Sequence, residues 1–101
     1  MALDIHRLDN NDYIFGLNDE WQSCLDVIFK RYERSTGIYI DPYKDTILDL
    51  DNMKFLIKLI DEYVQKMDLN MNRKQTSIIL EFKGMLNLFV KKNIALKLYG
   101  D

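Results

Sequence analysis

A chain of 101 residues, 48% of them hydrophobic, has room for one domain and is too apolar to stay disordered. Its single cysteine, Cys24, excludes an internal disulfide and any cysteine-based zinc site within one chain, which fits a reducing compartment. The net charge of −2 hides an asymmetry: residues 1–51 carry 11 acids against 5 Lys and Arg, and residues 52–101 carry 5 acids against 9. The first half therefore attracts cationic surfaces and repels phosphate.

The opening MALDIHRLDNNDY has no apolar core behind a basic head, unlike a secretory signal. No run reaches the roughly 18 consecutive apolar residues of a membrane span. A cytoplasmic protein is expected. Residues 4–17 are ambiguous: Leu3, Ile5 and Leu8, then Tyr13 and Phe15, suit short strands or packed coil equally.

Three helices follow. The first spans about Asn18 to Arg34, with Asn18 as N-cap and Asp19 and Glu20 in the turn where the helix dipole favours acids. Trp21, Cys24, Leu25, Ile28, Phe29 and Tyr32 form its apolar face, and Gly37 supplies a stop. The second spans Leu50 to Met67, capped by Asp49, with Met53, Leu56, Ile57, Ile60, Tyr63, Val64 and Met67 in one stripe. Phe55 falls on its polar side. The third spans Arg73 to Lys92, where Asn72 and Gln75 resemble a capping box. Ile78, Ile79, Phe82, Met85, Leu86, Phe89 and Val90 form its broad face. Leu80, Gly84 and Leu88 form a second row, and a mid-helix glycine costing about 1 kcal/mol suggests a close backbone approach there.

Between the first two helices, Gly37–Ile40 is β-branched and aromatic enough to run extended, and Asp41-Pro42 biases the chain away from helix. In the tail, Ile94, Leu96 and Leu98 alternate with Ala95, Lys97 and Tyr99 as in a final strand. The expected fold is mainly α: a small three-helix bundle with short extended N-terminal, central and C-terminal segments.

Catalytic signatures are missing from the sequence. His6 stands without a second histidine or a nearby cysteine, and Cys24 sits in an apolar stripe where it reads as a small hydrophobe. No phosphate loop, nucleophile elbow or zinc-protease motif occurs. Asp41, Asp45, Asp49 and Asp51 repeat through IDPYKDTILDLD without the central glycine and terminal glutamate of a calcium loop. Capping and turn initiation explain Asp49 and Asp41 more simply than metal binding or acid–base work. Neither an enzyme nor a cofactor or metal is expected. Arg73, Lys74, Lys83, Lys91, Lys92 and Lys97 are too scattered for a nucleic-acid stripe, and a pI near 5.3 disfavours that partner.

A protein partner remains. Tyrosines mixed with acids on a connection between helices combine binding anchors with electrostatic steering. The partner-binding candidates are Asp41, Tyr43, Asp45, Asp49, Asp51 and Phe55, with Tyr39 and Ile40 expected to pack inward. The stretch Gly37-Ile-Tyr-Ile-Asp-Pro-Tyr-Lys-Asp-Thr-Ile, followed by the capped helix from Asn52 to Ile60, resembles small bacterial immunity proteins. These belong to polymorphic and contact-dependent inhibition toxin systems. The resemblance covers about a quarter of the chain and rests on Asp-Pro-Tyr-x-Asp-Thr. It implies a cytoplasmic antidote that occludes the active site of a cationic toxin domain, often a nuclease. The alternatives are a helical module that self-associates through Leu80, Gly84 and Leu88, and a small nucleic-acid binder using the basic second half.

Overall fold

A computed structural model describes residues 3–41, 43–66 and 72–100. Seven elements follow one another: β1 (Leu3–Arg7), β2 (Tyr13–Leu17), α1 (Asp19–Thr36), β3 (Thr46–Leu48), α2 (Leu50–Lys66), α3 (Arg73–Lys91) and β4 (Leu96–Tyr99). The strands form one antiparallel sheet in the order β2-β1-β4-β3. The expected three-helix bundle is thereby corrected to an α+β fold, because the ambiguous terminal segments pair with each other into a sheet. First and last strands lie side by side, with Ile5 opposite Leu98. That pairing joins segments some ninety residues apart, so no local pattern announces it.

The helices behave as their sequence periodicity demands. Asn18 accepts a hydrogen bond from the Trp21 amide at 2.9 Å, and Gly37 closes α1 at φ 76°, its amide donating to the Glu33 carbonyl. Asp49 caps α2 by accepting from the Asn52 amide at 2.8 Å. Asn72 caps α3 by accepting from the Gln75 amide at 3.1 Å. The reciprocal half of that capping box is not made: the Gln75 side chain instead donates to the Cys24 carbonyl of α1 at 3.4 Å. The expected place of Met67 in the α2 stripe, and the turn at Pro42, lie outside the described residues.

One core gathers Leu25, Ile28, Phe29 and Tyr32 of α1, Met53, Leu56, Leu59 and Ile60 of α2, and Ile78, Ile79, Phe82, Leu86 and Phe89 of α3. Leu3, Ile5, Leu17, Leu48, Leu96 and Leu98 close it from the inner face of the sheet. Phe29 and Phe82 meet edge to face at 5.9 Å between centroids, a preferred aromatic geometry.

Strand alternation then dictates the outer face. The cross-strand row Ile47–Lys97–His6–Tyr13 crosses all four strands, and Tyr99–Asp4–Gly16 forms the row beside it. Tyr13 reaches the outer face through a bulge: Ile5 pairs with Phe15 but His6 pairs with Tyr13, so Ile14 is the extra residue in β2. The Gly37–Ile40 segment, expected to run extended, belongs to no strand; between α1 and α2 the chain joins the sheet at Thr46–Leu48, as an edge strand. Among the described residues, no helix is long and apolar enough to cross a membrane.

Candidate functional site

The described part of the connector from α1 to β3, residues 37–41 and 43–45, is held by specific polar bonds. Thr36 Oγ1 donates to the Tyr32 carbonyl at 2.7 Å and accepts from the Ile38 amide at 3.1 Å. Asp41 accepts from the Tyr43 amide at 2.8 Å through its carboxylate and from the Lys44 amide at 3.2 Å through its carbonyl, an Asx-type turn. Asp45 accepts from the Gly100 amide at 3.1 Å, fastening the connector to the end of β4. Gly100 is required there: a Cβ on it would lie 2.3 Å from the Lys44 amide nitrogen. Ile40 is fully buried and anchors the middle.

These bonds fix a backbone whose side chains point outward. Tyr43 is 63% exposed, Ile47 52%, and Ile38 and Tyr39 41% each. Four of the eight exposed large apolar side chains among the described residues thus fall between positions 38 and 47. Tyr39, expected to pack inward, does not. Its hydroxyl pKa is raised by partial burial and then by Asp26, Asp41 and Glu33, with Lys30 opposing, so acids of α1 and of the connector surround it.

The six candidates divide between two duties. Asp41, Asp45 and Asp49 have structural partners in the turn, at Gly100 and at the α2 cap. Each carboxylate still contributes negative potential to this end of the molecule. Tyr43 and Asp51 are exposed. Phe55 is half buried, packed on the core with its ring 6.2 Å from Tyr32, so it underlies the patch more than it extends it. Tyr32 is fully buried beneath, and its hydroxyl has no hydrogen-bond partner among the described residues. Burial, then the nearby Asp49, push its pKa above the usual tyrosine value.

Sequence reasoning missed the outer face of the sheet. His6, read only as a lone histidine in an ambiguous segment, sits in β1 with its ring edge-to-face against Tyr13 at 5.5 Å and Tyr99 at 4.7 Å. Its Nδ1 donates to the Asn11 carbonyl at 2.9 Å. Tyr99 Oη bonds Asn11 Oδ1 at 2.6 Å, and Lys97 lies over the Tyr99 ring. The visible signal was the alternation of Lys97 and Tyr99 with leucines. Ile47 was hidden in a three-residue strand too short to show a period.

Among the described residues no pocket is found, and no group of three His, Cys, Asp or Glu side chains is arranged to hold a metal. On α3, Leu80 and Leu88 are exposed, and nothing lies within 4 Å of where a Gly84 Cβ would stand. The close approach expected at that glycine does not come from the described residues. No protein-family model, curated protein or solved structure matches the chain.

Proposed function

We propose that this chain is an immunity-type protein that acts in the cytoplasm, binding a cationic toxin domain through the 37–51 end and occluding its active site. The observation that carries the reading is the concentration of Ile38, Tyr39, Tyr43 and Ile47 among Asp41, Asp45, Asp49 and Asp51. Exposed aromatics within an acidic field supply anchors that slow dissociation and a potential that speeds encounter with a basic surface. A backbone already fixed by Asp41 and Asp45 loses little further freedom on binding. The resemblance of the same segment to immunity proteins supplies the class of partner.

Co-expression with the toxin candidate captured from the native host tests this. Growth rescue by the wild-type chain, lost with Tyr39, Tyr43 and Ile47 all changed to serine, is the expected result. Equal rescue by both chains contradicts the proposed face.

A second reading rests on α3. A helix-interior glycine costs about 1 kcal/mol, and among the described residues nothing lies within 4 Å of where a Gly84 Cβ would stand. Self-association through Leu80, Gly84 and Leu88 is the alternative use of that row. Sedimentation over a hundredfold concentration range separates the two, since a strict monomer removes this second reading.

A further inference from the structure

The sheet has two free edges, and they are guarded differently. Unpaired edge strands are templates for added strands, and natural proteins blunt them with bulges, lysines, prolines or brevity. On β2 the extra residue Ile14 provides a bulge. β3 carries neither bulge, lysine nor proline; its residues are Thr46, Ile47 and Leu48, two of them β-branched. Among the described residues its backbone bonds go only to β4, leaving the opposite edge unpaired.

Brevity is the one guard β3 has. Three antiparallel residues direct the backbone groups of only one or two outward, too few for tight binding by themselves. The neighbourhood makes up the difference. Tyr43 and Asp45 precede the strand, Asp49 and Asp51 follow it, and Ile47 stands exposed on its outer side. An incoming strand would lie between acids at both ends of the edge.

We infer that β3 is a strand-accepting edge, and that the partner adds to it an extended segment rich in lysine or arginine. The inference rests on the reading of this end as a surface for a cationic protein, and adds how that protein engages it. Main-chain pairing sets the register, while the tyrosines and acids supply affinity and choice of sequence.

A blocked hexapeptide alternating lysine and valine is the probe, and the same peptide with two valines replaced by proline is its control. Proline keeps the charge but removes the donors that pairing requires. Hydrogen exchange of the full chain is followed by NMR with each peptide near saturation. The expected result is exchange about tenfold slower at one or more amides of residues 46–48 with the first peptide only. Ile47→Lys, with an unchanged unfolding midpoint, should abolish the protection. Equal binding of both peptides without protection at β3 overturns the pairing, as does failure of both to bind. Loss of toxin neutralisation in the co-expression test, with protection at β3 retained, instead removes the functional reading and leaves the edge standing.

Discussion

The interior face of the sheet and the described part of the connector that ends at β3 are held in place for opposite reasons. Leu3, Ile5, Leu96 and Leu98 are fixed because they are buried against three helices, and packing accounts for each of them. The connector is fixed by Asp41, Asp45, Thr36 and the buried Ile40, while Tyr39, Tyr43 and Ile47 face solvent. Apolar side chains there contribute little to folding, yet a firmly held backbone presents them. The contrast separates residues kept for stability from residues available for recognition.

Substitutions should reproduce that contrast as a descending series. Phe82→Ala removes a fully buried ring that meets Phe29 and should cost about 3–5 kcal/mol, read as a collapse of the urea midpoint. Gly100→Ala forces the Lys44 backbone away and should cost about 1–3 kcal/mol. It should also free the connector, seen as an upfield move of the residue-100 backbone amide proton as its bond to Asp45 is lost. Asp49→Ala removes the α2 cap and should cost about 1 kcal/mol. A larger loss there would mean that Asp49 carries more of the connector than its one bond suggests.

Alkaline pH offers a finer division. Tyr32 and Tyr39 both have pKa values raised in the folded chain, so the folded state holds these protons more tightly than the unfolded one. Their stabilising contribution is complete below the unfolded tyrosine pKa near 10 and is lost as pH rises through the folded values. Tyr32→Phe should remove most of this alkaline loss, since the buried hydroxyl has no hydrogen-bond partner among the described residues, and should leave neutral stability equal or slightly higher. Tyr39→Phe should remove less. A reversed order in the pH dependence of the unfolding midpoint would place the buried charge penalty at Tyr39.

Local chemistry made the helices legible and left the sheet hidden. Asn18, Asp49 and Asn72 announce three helix starts because a cap is a contact within three residues. The apolar stripes follow from a period of 3.6. Sheet pairing depends instead on which distant strand lies opposite, and Leu3–Arg7 carries no mark of Leu96–Tyr99. The candidate site was legible to the extent that acids and tyrosines cluster in one segment. Which of them face outward was not, because exposure of Tyr39 and half-burial of Phe55 are decided by α1, and a bulge at Ile14 decides where Tyr13 points.

The central claim is that the exposed side chains of the connector and of β3 serve a partner and not the fold. Calorimetric titration of the proposed toxin partner with wild-type chain and with Tyr43→Ala/Ile47→Ala tests it most directly. Binding at least about tenfold weaker, or 1.4 kcal/mol, is predicted, with an unfolding free energy changed by less than about 0.5 kcal/mol per substitution. Unchanged affinity, or a stability loss large enough to account for weaker binding, would contradict it.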